Sequence, residues 1–224
     1  MTYKLAIFDF DGTLADSFDF FLASHNTLAR RHGFAEVDPA RIDEYRGQEP
    51  RELMRRLGVP MWKLPLIAKD FIGMMARNAE GIRLFDGVAE ALQALSASGV
   101  ELAIVTSNSL ENVSRVVGNE LMSRIRHVES GASLFGKRRR LERVLKTANI
   151  ARQHAIYVGD QPTDARAAQA AGIAFGAVRW GYATAAVLDQ RSPTITFGCV
   201  SDLQHIAKAH APPVAAAMPA PADP

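Results

Sequence analysis

The sequence predicts an α/β fold in which a parallel sheet is covered by helices on both faces and a helical unit is inserted near its start. Three observations predict it. Apolar segments at residues 4–8, 101–106, 154–159 and 173–178 are continuous rather than alternating, as in a strand buried on both faces. Helical patterns at 88–97, 110–117, 139–148 and 164–171 intervene, so strand and helix succeed each other as right-handed crossovers require. The interval 16–83 breaks that rhythm and reads as helical throughout, with Phe18, Phe21, Leu22, Leu28, Leu53, Leu57, Ile67, Phe71, Met74 and Met75 at helical spacing.

The first strand runs into Asp9-Phe10-Asp11-Gly12-Thr13. Alternation along a strand lets Asp9 and Asp11 point one way while Phe10 turns inward, and Gly12 permits a tight turn. The same acids can equally serve as a helix cap and a solvated turn residue. In the insertion the apolar stripe reads as plain bundle core, punctuated by Gly33, Gly47, residues 58–60 and Pro65. The second strand ends in Thr106-Ser107-Asn108, where hydroxyls and free amides at a helix start hold an anionic oxygen or simply cap the helix. Weaker strand signals lie at 126–129 and 194–197. Gly136-Lys137 opens a helix, a poor place for a cation unless an acid or anion is near. The remaining run, Arg138 to Arg140, reads as the solvated start of that helix. The third strand passes through Gly159 to Asp160 and Asp164, acids about one turn apart. The expected division is a core of residues 1–15 and 84–210, a helical cap at 16–83, and a disordered Pro/Ala-rich tail at 211–224.

Bulk properties narrow the function. With 224 residues, 48% hydrophobic and 22% charged, the chain has the composition of a globular protein rather than a disordered one. A formal net charge of +2 gives no basic field for nucleic acid. Cys199 is the single cysteine, which excludes an intrachain disulfide and fits a reducing compartment. No basic-then-apolar signal or membrane-length apolar stretch is present, so a cytoplasmic protein without membrane contact is expected, as monomer or homodimer.

The strand ends bring four carboxylates toward one crevice. At ~4 Å and an effective dielectric of ~20, a like-charged pair costs on the order of 4 kcal/mol, so the cluster calls for cations. Oxygen donors without histidine or cysteine favour Mg²⁺, completed by a substrate phosphate, and Lys137 adds positive charge.

Asp9-Phe10-Asp11-Gly12-Thr13, Thr106, Lys137 and Gly159-Asp160 through Asp164, in that order, resemble the haloacid dehalogenase superfamily of phosphohydrolases. Phe135-Gly136-Lys137 and the run Ala167 to Gly172 resemble its phosphoglycolate phosphatase-like branch. The resemblance covers nearly the whole chain. It implies a Rossmann-like core with a helical cap, Asp9 as nucleophile, Asp11 as general acid/base, and Thr106 and Lys137 on the phosphoryl group. It also implies Mg²⁺ held by Asp9, the Asp11 carbonyl and Asp160, with Asp164 beside it, and a small phosphorylated metabolite as substrate. Gly12, Thr13, Ser107 and Asn108 join these as candidate substrate contacts. By the same resemblance the cap reads the leaving group, for which the loop at 45–48 offers Arg46, a charged planar fork, and Gly47, which allows close approach. Arg46 as a surface cation or a cap-to-core salt bridge stays open. Other readings of the whole are a sugar-phosphate mutase, a 2-haloacid dehalogenase, and a non-enzymatic receiver-like phospho-acceptor.

Overall fold

The structure, a computed structural model, describes residues 2–46, 48, 50–78, 81–131 and 136–209. The expected tail at 211–224 lies outside them. Six strands form one all-parallel sheet: β1 (Leu5–Phe8), β4 (Glu101–Val105), β5 (Ile125–Glu129), β6 (Ala155–Gly159), β7 (Ala174–Val178) and β8 (Ile195–Phe197), in the order β5-β4-β1-β6-β7-β8. β1 is central, and the chain builds outward to β5 on one side before crossing to β6 on the other. That reversal opens a crevice at the carboxyl ends of β4, β1 and β6.

Both faces of the sheet are covered, which is why its strands read as continuous apolar runs. Ala6 and Phe8 pack into one core layer with Leu92 and Leu95 of α5 (Val88–Ala97) and Val113 and Val117 of α6 (Leu110–Val117). Leu5 and Ile7 pack into the other with Leu141 and Val144 of α8 (Lys137–Ala148) and Ala168 and Ala171 of α9 (Pro162–Ala171). All four β1 side chains are at most 1% exposed, and full burial is worth about 1.5–3 kcal/mol for each large one. The weak signals at 126–129 and 194–197 are the outer strands β5 and β8, whose partial exposure dilutes their apolar pattern. Two short helices, α7 (Asn119–Met122) and α10 (Ala185–Asp189), and a 3-10 segment at Val200–Ala207 had no distinct sequence signal.

The insertion contains α1 (Phe18–His32), α2 (Ile42–Arg46), α3 (Pro50–Arg56) and α4 (Leu64–Arg77). Gly33, at φ 78°, ends α1 in the left-handed conformation. The interval 16–83 is not helical throughout: β2 (Ala15–Asp16) and β3 (Arg83–Leu84) form an antiparallel ribbon joining its two connections. Two-residue strands paired across so long a separation leave no periodicity to read.

The apolar stripe is also only partly core. Leu28, Leu57, Ile67 and Met75 are buried, and Leu22 and Leu53 pack against the core of the insertion, whereas Phe18, Phe21 and Phe71 are half-buried, outside that core, and line a cavity. Helical spacing marks a face, but not what covers it.

Candidate active site

β1 delivers Asp9 to the crevice, β4 delivers Thr106 and β6 delivers Asp160. Because β1 ends at Phe8, Asp9 and Asp11 reach the crevice from the turn that follows rather than by strand alternation. Asp9 is 4% exposed, and its Oδ2 accepts a 2.6 Å hydrogen bond from Lys137 Nζ. The same ammonium donates to Asp164 Oδ1 at 2.5 Å. These two acids answer the placement of a cation at the first residue of α8. Asp164 is fixed in turn: its Oδ1 accepts from Tyr157 Oη at 3.1 Å, and its Oδ2 from the Gln161 amide at 3.0 Å, half of a capping box that starts α9.

Asp160 is fully buried and accepts from Thr13 Oγ1 at 3.2 Å and the Tyr182 amide at 2.7 Å. Thr13, expected at the substrate, therefore holds an acid in place. Gly12 has φ 76°, and a Cβ there would overlap Asp160 and Tyr182; a Cβ at Gly181 would meet Asp160 and the Gly12 carbonyl. Asp11 turns toward the insertion, accepting from Ser17 Oγ at 3.0 Å and Asn108 Nδ2 at 3.1 Å. Ser17 Oγ also lies 2.8 Å from Tyr182 Oη. Thr106 Oγ1 accepts from the Asn108 amide at 3.0 Å, so the loop after β4 holds itself, and Ser107 lines the cavity.

Arg140 departs from expectation. It is 6% exposed, and its guanidinium donates to the Thr106 and Gly131 carbonyls at 2.8 and 2.6 Å, bracing that loop instead of meeting solvent. It sits three residues after Lys137, on the inner face of α8, where helical spacing from the lysine would have found it.

The fields in the site follow from burial. Desolvation pushes the Asp9 carboxyl up to about 7 despite Lys137, with Asp164 adding to the rise. Asp160 is raised well above the carboxylate range by burial and then by Asp164 and Asp9. Asp11 is raised by burial, against its bonds from Ser17 and Asn108. Burial opposes the Lys137 charge, but Asp164 and Asp9 outweigh it and hold the ammonium above its ordinary value. Among the described residues, Asp9, Asp160 and Asp164 form a group that can hold a metal ion, with one ligand atom each inside 4.8 Å of the others. Three buried acids against one lysine, all hard oxygen donors, fit Mg²⁺. The Asp11 carboxylate is not in that group; the resemblance assigned only its carbonyl to the metal.

A cavity of about 320 Å³ joins Asp9, Asp11 and Lys137 to the inner face of the insertion. Arg46 lines it, but its fork is engaged by the core: Nε donates to the Tyr182 carbonyl and Nη2 to the Gly181 carbonyl, both at 2.9 Å, and the guanidinium carbon lies 5.0 Å from the centre of the Phe18 ring. In this arrangement Arg46 clasps insertion to core. Gly47 and Phe135 lie outside the described residues. Sequence reasoning missed the loop after β7, where Gly181 and Tyr182 touch Asp160, Ser17 and Arg46; a glycine just past a parallel strand's carboxyl end was the available signal.

The family described as haloacid dehalogenase-like hydrolase matches residues 6–178. The chain is 30% identical over 177 residues to the phosphoglycolate phosphatase of Synechococcus elongatus, covering 79% of this chain and 84% of that one. It is 31% identical over 184 residues to the phosphoglycolate phosphatase of Rhodobacter capsulatus, with the same coverage. A crystal structure from Lactobacillus plantarum, provisionally assigned as a phosphoglycolate phosphatase, superimposes with a TM-score of 0.79 at 25% identity, covering 92% of this chain and all of that one.

Proposed function

The chain belongs to the haloacid dehalogenase-like hydrolase family, and on that footing we propose that it is a Mg²⁺-dependent phosphatase cleaving a small phosphate monoester through an aspartyl-phosphate on Asp9. The observation that carries the reading is the buried Asp9–Lys137–Asp164 arrangement beside Asp160. Asp9 and Asp160, with the Asp11 carbonyl, would hold Mg²⁺ and Asp164 would stand beside it; the ion's chemistry is to neutralise the phosphoryl oxygens so that a carboxylate can approach them.

Asp9 attacks phosphorus, and Lys137 and Thr106 bind the equatorial oxygens. Asp11, raised by burial, carries a proton more readily than an exposed carboxylate and donates it to the leaving alkoxide. The same carboxylate then takes a proton from the water that cleaves the acyl-phosphate. Ser17, held by Tyr182, orients Asp11 for both steps. A halide leaves without a proton or a metal, so a dehalogenase would leave Asp11 and the acid group idle.

Phosphoglycolate, on which the curated relatives act, is the first metabolite to assay. Hydrolysis of p-nitrophenyl phosphate should require Mg²⁺, stop in chelator, and disappear in a folded Asp9→Asn variant. Turnover that survives chelator or that substitution overturns the reading.

A further inference from the structure

Resting on the phosphatase reading, we infer that the ester cleaved here carries an apolar leaving group, an alkyl or arylalkyl alcohol, seated against half-buried side chains of α1 and α4. The cavity has the acids as its floor, while Phe18, Phe21 and Leu22 of α1 and Leu64 and Phe71 of α4 form its wall. Each of these five is half-buried; Leu22 also packs against the small core of the insertion at Val37, Tyr45 and Leu57, whereas the other four belong neither to that core nor to the two core layers of the sheet. The aromatic surface is continuous from core to insertion: Tyr182 lies 5.1 Å from Phe18 and 5.3 Å from Phe21 between ring centres, and Phe21 lies 6.1 Å from Phe71. A volume of about 320 Å³ is at the lower end of the range for small-molecule sites.

The charges on this cavity have other work. Lys137 is bonded to Asp9 and Asp164, and Arg46 gives Nε and Nη2 to core carbonyls. His25 is held toward its neutral form by burial, and Arg51, which also lines the cavity, is exposed to solvent. A leaving group ending in a carboxylate would be desolvated against the rings, whereas methylenes or a ring placed there leave water at no polar cost. The wall therefore selects for apolar surface and against glycolate.

The test is a series of straight-chain alkyl phosphates from ethyl to hexyl, assayed with Mg²⁺ beside phosphoglycolate. Leaving-group basicity hardly changes along the series, so kcat/KM reports the wall. It should rise at least about tenfold from ethyl to hexyl phosphate, with phosphoglycolate no better than ethyl phosphate. The hexyl-to-ethyl ratio should shrink in Phe71→Leu and shrink further in Phe21→Asp. A flat series, or phosphoglycolate exceeding hexyl phosphate, overturns the inference. If neither these esters nor p-nitrophenyl phosphate is hydrolysed, the phosphatase reading falls, and melting with hexylphosphonate against ethylphosphonate decides the wall separately. A larger rise with the hexyl compound sustains it, and equal rises overturn it.

Discussion

Replacing Lys137 by methionine, which keeps the length and removes the charge, should destabilise the protein in a way that depends on pH and on Mg²⁺. The ammonium lies 2.6 Å from Asp9 and 2.5 Å from Asp164, and its side chain is 12% exposed. Breaking a buried pair by removing one partner costs about 3–5 kcal/mol, and here two carboxylates lose the same partner. Protonation limits the loss. Asp9 is already raised to about 7 by burial, and without the lysine its neutral form is favoured further. A carboxyl whose folded pKa lies above its unfolded value contributes stability that is complete below the unfolded value and is lost as pH rises through the folded one. The variant should therefore suffer more at pH 8 than at pH 6. For a chain of this length each kcal/mol moves Tm by about 2–4 °C, so the fall at pH 8 in chelator should be about 6–20 °C. Saturating Mg²⁺ should then raise Tm more in the variant than in the unsubstituted protein, because the ion supplies the missing charge. Thermal melts at both pH values, with chelator and with Mg²⁺, measure all of this. A fall of less than about 2 °C, or one equal at the two pH values, would refute the reasoning.

Arg46→Ala should lower kcat/KM for phosphoglycolate and p-nitrophenyl phosphate together, by about 100-fold or more, two charge-assisted hydrogen bonds being worth at least about 3 kcal/mol; a loss confined to phosphoglycolate would make Arg46 a carboxylate reader instead. Tyr182→Phe removes the hydroxyl beside Ser17 and should reduce kcat on an alkyl phosphate by about 3–10-fold. Its effect on p-nitrophenyl phosphate, whose leaving group needs no proton, should be smaller, and equal losses would dissociate Tyr182 from Asp11. Mg²⁺ affinity, followed by calorimetric titration, should strengthen between pH 6 and pH 8 because Asp9 must lose its proton to bind, by about tenfold over the whole interval, since a carboxyl titrating at about 7 holds its proton only through the lower half of it. A pH-independent affinity would remove Asp9 from the ligand set.

The sheet was legible because its strands are buried on both faces and leave continuous apolar runs; β5 and β8 read weakly in proportion to their exposure. Asp9 and Asp160 were legible because each follows a strand directly, Asp11 and Asp164 because they lie a few residues beyond those strand ends, and Lys137 because a cation at a helix start needs a partner. What escaped depends on contacts distant in sequence. Tyr182 meets Asp160 and Ser17 across 22 and 165 residues, and the β2–β3 ribbon closes a long insertion through two residues on each side. Arg46 and Arg140 show the limit for charges: the sequence gives their chemistry, but not that backbone carbonyls of a neighbouring loop absorb it. The half-buried phenylalanines show the same limit for apolar residues, whose spacing is identical whether they meet a helix or a ligand.

The central claim is that Asp9 is the nucleophile, and the most direct measurement is a rapid acid quench of the enzyme with Mg²⁺ and a ³²P-labelled aryl phosphate, followed by peptide mapping. The account predicts a transient label on Asp9, stable in acid and released by hydroxylamine, that persists longer in Asp11→Asn and is absent in Asp9→Asn. Full turnover with no protein-bound label in either the unsubstituted enzyme or Asp11→Asn, or a label on another residue, would contradict it.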